Sequence, residues 1–417
     1  MREMTDDTVG CSDLEMEPAP GPDGVTAEEY RLRMHALKEA MARRNIGVSV
    51  VHNSRDVFYY SGTGLYCTLI VPRDDDPVLL VRINAARAHE DSWIPQIRES
   101  TGPGDVKEVL GELGLLDGPM VGIEEDATVV SFHRKLLDLL PGARFLDIST
   151  AILDQRMVKS PAEIGLIRRA AAISDQAFRE VRRSLRPGIS EMDIAVEMES
   201  SKRRAGHDGA NVGRRPGVVA PTVFVASGPN AGLASGYWVS TIGPGPSNAF
   251  PYGPSLRKVK KGDMVVVDHG TVYRGYHCDE GRTLSVGRPG VKLKRLFDVV
   301  RRAEDAAIQR VKPGLPVSEL YMAALRVVED AGYRKYFMGY GQYGVEYLGH
   351  GVGLEIDEPP LIGPGNASLI EEGMVLALEP KLIVPGWGGV DLEDTLYVTC
   401  DGCELLTRSR RELVEVG

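Results

Sequence analysis

Residues 264–286 read MVVVDHGTVYRGYHCDEGRTLSV, two β-type runs on either side of a short polar centre. Such runs flanking turn residues spell an antiparallel hairpin. With the turn between Tyr273 and Arg274, Asp268 and Asp279 are symmetric about it and fall opposite one another. Facing residues on such a pair have Cβ atoms roughly 4.5–5.5 Å apart. Two carboxylates held so close repel unless protons or metal ions offset their charge.

A second stretch, MVLALEPKLIVPGWGGVDLEDTLYVT at 374–399, repeats the arrangement. Centred on Gly386, it sets Glu379 opposite Glu393. A solvated strand face would account for either hairpin alone. The apolar flanks VVV and VLAL instead place these strands in the interior, where unpaired charge is very costly. Between the hairpins, at 349–360, lies GHGVGLEIDEPP, in which glycines on both sides of His350 let backbone approach a ligand closely. Four carboxylates and one imidazole form an oxygen-rich set with a single nitrogen. That is enough for two divalent ions about 3.5–4 Å apart, which acidify a water between them. The donors suit manganese, iron or cobalt better than a thiolate-rich structural zinc site.

The rest of the chain fits an enzyme of ordinary composition. At 417 residues it exceeds the size at which single cores divide, so two domains are expected. It is 43% hydrophobic and 26% charged, with a formal net charge of −10. An acidic balance opposes nucleic-acid and anionic-membrane partners, which want a basic patch. No apolar run reaches the ~18 residues of a membrane helix. The start, MREMTDDTVG, lacks the apolar stretch of a secretory leader, so a cytoplasmic protein is expected. Five cysteines at 11, 67, 278, 400 and 403 suit reduced thiols. Cys400 and Cys403 enclose Asp401-Gly402, a hairpin-turn dipeptide, and read as thiols flanking a turn rather than zinc ligands.

Residues 1–25, rich in Pro, Gly, Asp and Glu, read as a flexible tail. From 26 to 155 a helical pattern (AEEYRLRMHALKEAMARRN) and short β-type runs (VSVVH, CTLIVP, PVLLVR) form an α/β domain. The second domain, 156–417, opens with Ser160-Pro161-Ala162-Glu163, a capping box with proline at the first helical position. RPGISEMDIAVEMESSKRRAG and KPGLPVSELYMAALRVVEDAG look like two copies of one helix pair, each followed by a hairpin. An internal duplication follows.

Asp268, Asp279, His350, Glu379 and Glu393, in that order and in those settings, resemble the ligand set of the methionine aminopeptidase, Xaa-Pro aminopeptidase, prolidase and creatinase superfamily. GYHCDEGRT, GHGVGL, LEP and LEDT are similar to its motifs, and VKSPAEIGLIRRAAAISDQA to the helix that follows its creatinase-type amino-terminal domain. The resemblance spans about residues 28–410. It implies an α/β architecture: a creatinase-type amino-terminal α/β domain, then a duplicated α+β catalytic domain of the pita-bread fold. It also implies that the five residues bind two divalent metals, manganese first and iron, cobalt or zinc as alternatives. In that family the residue matching Glu379 also shuttles protons, those matching Asp279 and Glu393 bridge the metals, and relatives form homodimers.

Three departures bear on substrate. Proline-specific members carry a histidine shortly after the SGPN stretch, where this chain has Ser235, and another seven residues after the ligand histidine, where it has Asp357. An arginine two residues before the last glutamate is replaced by Asp391. Asp357 and Asp391 therefore count as surplus negative charge, favouring a substrate with a cationic nitrogen over one needing a carboxylate clamp; Asp357 reads equally as a turn residue before Pro359. Trp238, in an aromatic segment at 236–254 with Phe250 and Tyr252, and Tyr347 join Ser235 and Asp391 as candidate substrate contacts; Asp357 joins Glu379 and His350 as a candidate catalytic group. The expected activity is hydrolysis of a peptide or amide C–N bond, Xaa-Pro aminopeptidase-like without being a strict prolidase, on a small peptide or small cationic amide. The alternatives are a small-molecule reaction on the same fold, ectoine hydrolase-like or dimethylsulfoniopropionate lyase-like, and a non-catalytic scaffold. The lyase also has an aspartate shortly after its HGVGL, but its additional aspartate ligand is Gly270 here.

Overall fold

A computed structural model describes residues 24–214, 221–234 and 241–417. The tail assigned to 1–25 lies outside these residues except for its last two.

The amino-terminal domain carries helices α1 (Ala27–Arg43), α2 (Ser54–Ser61), α3 (Ala85–Asp91), α4 (Gly104–Glu112), α5 (Val130–Leu139) and α6 (Ser149–Met157). They surround strands β1 (Val48–Val51), β2 (Cys67–Pro72), β3 (Val78–Val81), β4 (Gln96–Glu99), β5 (Met120–Ile123) and β6 (Arg144–Asp147). The six strands form one mixed sheet in the order β4-β3-β2-β1-β5-β6. Successive strand residues point to opposite faces. Val48, Val50, Ile70, Val78 and Leu80 therefore pack with Val106, Val109 and Leu136 of α4 and α5. Val51, Leu69, Val71, Leu79 and Val81 pack on the other face with Leu37 and Met41 of α1. This second core runs on into Leu166, Ile167 and Ala170 and into Tyr276 and Cys278 of the next domain.

The carboxy-terminal domain is built twice over. Helices α7 (Pro161–Ser184) and α8 (Glu191–Arg204) precede β7 (Phe224–Ser227) and the hairpin of β8 (Met264–Tyr273) and β9 (Tyr276–Val286). Helices α9 (Val291–Ile308) and α10 (Ser318–Asp330) precede β10 (Gly349–Gly351), β11 (Glu358–Ile362), β12 (Val375–Leu378), β13 (Lys381–Val384), β14 (Gly388–Asp391), β15 (Asp394–Val398) and β16 (Cys403–Leu405). The last strand, β17 (Val414–Val416), returns to pair with β9. Ser160 and Ser190 cap α7 and α8 in full capping boxes with Glu163 and Asp193. The apolar faces of α7 and α8 bury against β7, β8 and β9, those of α9 and α10 against β12 to β15. Among the described residues no helix is long and apolar enough to cross a membrane.

The first hairpin turns one residue later than its symmetry suggested, which shifts the pairing register by two residues. Arg274 and Gly275 form the turn with φ of 51° and 84°, and Tyr273 pairs with Tyr276. Positive φ at both central positions matches the right-handed twist of the strands, and glycine takes it at the second position, where a centre between Tyr273 and Arg274 would ask it of a tyrosine. Asp279 consequently faces Gly270, and Asp268 faces Gly281. Each aspartate keeps its parity, so the two share a face as diagonal neighbours rather than as a facing pair. The second hairpin is centred on Gly386. Lys381 pairs with Asp391 on one side of Glu379 and Glu393, Leu378 with Asp394 on the other. Cys400 is exposed in the turn between β15 and β16, and Cys403 pairs with Val398 across it.

Candidate metal centre

The hairpins meet where Gly281 and Glu393 exchange backbone hydrogen bonds of 3.2 and 2.9 Å. A Cβ on Gly281 would lie 3.0 Å from both Cβ and Oε2 of Glu393, so any larger residue would press on this ligand, and glycine lets the strands approach without displacing it. Arg282, fully buried, donates to the Glu393 carbonyl and to the Asp394 carboxylate, and the Asp279 amide donates to Thr395 Oγ1 at 3.0 Å. These bonds lock the two halves in register with the carboxylates facing inward.

Asp268 and Asp279 from the first hairpin, His350 from β10, and Glu379 and Glu393 from the second all line one cleft of ≈ 90 Å³. None is more than 9% exposed. His350 Nδ1 lies 3.1 Å from the Gly351 carbonyl, an arrangement that assigns the proton to Nδ1 and turns Nε2 toward the carboxylates. Nε2 sits 3.1 Å from Asp357, 3.5 Å from Glu379 and 4.0 Å from Asp279. Burial pushes the imidazole down, but these carboxylates outweigh it and hold the group at about 9. Burial, and then the neighbouring carboxylates, push Asp279 and Glu393 well above the usual carboxylate range. The cleft thus concentrates more negative charge than its own cations balance.

The residues fit a divalent ion. Ligand atoms of Asp279, His350 and Glu393 all lie within 4.8 Å of one another. Glu393 Oε2 is buried and has no hydrogen-bond partner, an orphaned oxygen of the kind a cation satisfies. Oxygen donors with one imidazole and no thiolate match divalent ions such as manganese or iron.

Sequence reasoning passed over Lys381. Its ammonium lies 2.7 Å from Glu379, 3.0 Å from Asp268 and 3.1 Å from Asp391, and it is 3% exposed. The signal was present: the symmetry about Gly386 that pairs residues 379 and 393 also pairs 381 with 391. Lys381 corrects the charge count. Asp391 is fully buried against this ammonium and is not among the residues lining the cleft, so its charge is neutralised rather than offered to substrate. Asp357, with its side chain 59% exposed, lines the cleft, as does Tyr347. Ser235 and Trp238 lie outside the described residues. Phe250 and Tyr252 pack on each other with ring centroids 4.5 Å apart and do not line the cleft.

The loop holding Asp357 is anchored from both sides. Arg156 reaches Glu358 and, at 2.9 Å, Glu355, and also bonds Asp56 of the amino-terminal domain at 2.7 Å. Lys159 lies 3.2 Å from Glu358. Arg214 joins Asp56 to Asp126, the latter through two bonds of 2.8 and 2.9 Å.

A duplicated hairpin fold behind a mixed-sheet domain, with an acidic cleft between the hairpins, has the make-up of a metal-binding enzyme. Residues 165–400 match Metallopeptidase family M24, and residues 33–158 match the Creatinase/Prolidase N-terminal domain. The chain belongs to family M24, in the creatinase and prolidase pita-bread superfamily, and membership implies divalent metal ions. It is 29% identical over 392 residues to the Xaa-Pro dipeptidase of Pyrococcus furiosus, a match covering 92% of this chain and 99% of the relative. Among solved structures it superposes on an Xaa-Pro dipeptidase from Bacillus anthracis with a TM-score of 0.81 at 26% identity, covering 93% of this chain and all of the other. The X-Pro aminopeptidase from Thermotoga maritima follows at 0.77 and 25% identity, covering 92% and 99%.

Proposed function

We propose that this enzyme cleaves the C–N bond of small peptides, using two divalent ions held by Asp268, Asp279, His350, Glu379 and Glu393, with manganese the first choice. One observation carries the reading: five ligand-type side chains from both hairpins and β10 line a single cleft in which carboxylates outnumber cations. Divalent ions bound there supply an acidified water and polarise a carbonyl, the chemistry that amide hydrolysis needs. The peptide substrate class is supported by the names of the relatives, which are Xaa-Pro dipeptidases.

The chain's own side chains position and move protons. Glu379 forms an ion pair with the Lys381 ammonium at Oε2 and faces His350 with Oε1, and we assign Oε1 as the proton carrier between water and the leaving nitrogen. Asp357, exposed beside His350, puts negative charge at the cleft and favours a substrate with a cationic nitrogen nearby, such as a peptide amino terminus. Tyr347 offers a phenolic hydroxyl in the same cleft. Asp357 stands where proline-specific relatives have a histidine, so the enzyme is read as a poor prolidase.

The test is to load the protein with manganese and compare Xaa-Pro dipeptides, longer peptides, small cationic amides and sulfonium compounds by product mass. Longer peptides or cationic amides should be hydrolysed fastest. An elimination product would replace hydrolysis by a lyase reaction, and turnover of Xaa-Pro dipeptides above all others would remove the role given to Asp357.

A further inference from the structure

Asn211 lines the cleft, yet neither the expected metal ligands nor the clasp of Arg156, Lys159 and Arg214 gives it a role. Its carboxamide lies against Gly270, the β8 residue that faces Asp279. A Cβ on Gly270 would come within 2.4 Å of Asn211 Oδ1 and 2.8 Å of its Cγ, so Asn211 occupies the space that a side chain at 270 would take. Nδ2 donates to the Pro221 carbonyl at 3.1 Å, which orients the amide, because the oxygen in its place would meet another acceptor. Oδ1 is then left buried without a hydrogen-bond partner. The segment around it is pinned. The Asp208 amide donates to the Val272 carbonyl at 2.9 Å, and Asp208 accepts the Gly275 amide at 2.7 Å. Val212 donates to His277 Nε2 at 3.1 Å and accepts from the Ile356 amide at 2.8 Å, and Arg214 enters the clasp. The backbone at Asn211 cannot carry the side chain to a partner elsewhere. The bond between Val212 and Ile356 also sets Asn211 near Asp357 on the wall of the same cleft.

Resting on the peptide-hydrolase reading above, we propose that Asn211 Oδ1 receives an N–H of the substrate's free amino terminus. A buried carbonyl oxygen needs a donor. The carboxylates that line the cleft are otherwise engaged, four as expected metal ligands and Asp357 against His350. Asn211 and Asp357 divide the work: the carboxylate attracts the charge of an ammonium, and the neutral carboxamide reads the N–H itself. A substrate with hydrogen in place of its amino group leaves Oδ1 unpaired, which costs about ten- to hundredfold. Asn211 thus selects for primary amines without adding charge to an already acidic cleft.

The experiment uses the manganese-loaded full chain with Ala-Ala-Ala and its des-amino analogue propionyl-Ala-Ala, which differ by a single amino group. Wild type should prefer the tripeptide in kcat/KM. In Asn211→Leu that preference should shrink by about ten- to hundredfold, through KM rather than kcat, because the bond is made on binding. A side chain that only shapes its loop would slow both substrates alike, so an unchanged preference in a folded variant overturns the inference. Loss of manganese from Asn211→Leu would make Asn211 a metal ligand and overturn it as well. Should the variant not fold, a crystal structure of the wild-type enzyme with its product alanine bound decides: an amino nitrogen within about 3.2 Å of Oδ1 supports the inference, and a water there in its place overturns it. Wild type that hydrolyses no peptide overturns the proposed function and the inference together, whereas peptide hydrolysis without the shift in preference overturns the inference alone.

Discussion

Two regions of this molecule bury charge, and they do it differently. In the clasp between the domains, three cations, Arg156, Lys159 and Arg214, face four carboxylates, Asp56, Asp126, Glu355 and Glu358. In the cleft and directly behind it, six carboxylates, Asp268, Asp279, Asp357, Glu379, Asp391 and Glu393, share Lys381 and a single imidazole. A nearly matched network is a structural device, because each charge finds its partner within the fold. A mismatched one needs a counter-ion from solution, and a family of metal-dependent enzymes supplies the reason.

The comparison breaks most visibly at the cleft. Glu393→Ala removes an orphaned buried oxygen, and activity should fall by about a thousandfold or more, the worth of a divalent ion's charge stabilisation. Metal analysis of the purified variant checks the cause; two fully occupied ions would remove Glu393 from the ligand set. At the clasp, the same kind of deletion should act on stability. Arg156→Met strands Asp56, Glu355 and Glu358 without their shared guanidinium and should cost about 3–5 kcal/mol, read by chemical denaturation. Equal stability of variant and wild type would mean that the clasp is ornamental.

The smallest effect sharpens the contrast within the clasp. Burial pushes Glu355 up to about 7, although Arg156 and Arg214 pull it down. A carboxyl raised in the folded state contributes stability that is full below pH 4.5 and lost as pH rises through 7. Glu355→Gln should therefore stabilise the protein by roughly 1–3 kcal/mol at pH 8 and change little at pH 4. Glu358 has the opposite sign: burial raises it, but Arg156 and Lys159 overcome that and hold it at about 2, so its contribution is present above 4.5 and lost as pH falls through 2. Melting temperatures of wild type and Glu355→Gln across pH 3–9 decide this; parallel curves would refute the assignment.

The amino-acid sequence by itself determined which residues could meet. Side-chain parity along a strand is fixed by covalent geometry, so Glu379 and Glu393, symmetric about Gly386, had to share a face, and the capping boxes at Ser160 and Ser190 had to start helices. Lys381 obeyed the same symmetry and was legible in principle. What the tertiary structure alone decided was register and partnership. The Arg274-Gly275 turn converts Asp268 and Asp279 from facing to diagonal neighbours, because strand twist selects the turn. Asp391 changed from a substrate-facing charge to a buried counter-ion, and the clasp joined residues up to 202 positions apart. Local pattern fixes the direction in which a side chain points, but the partner it meets there depends on how distant segments pack, and for buried charge the partner sets the energy.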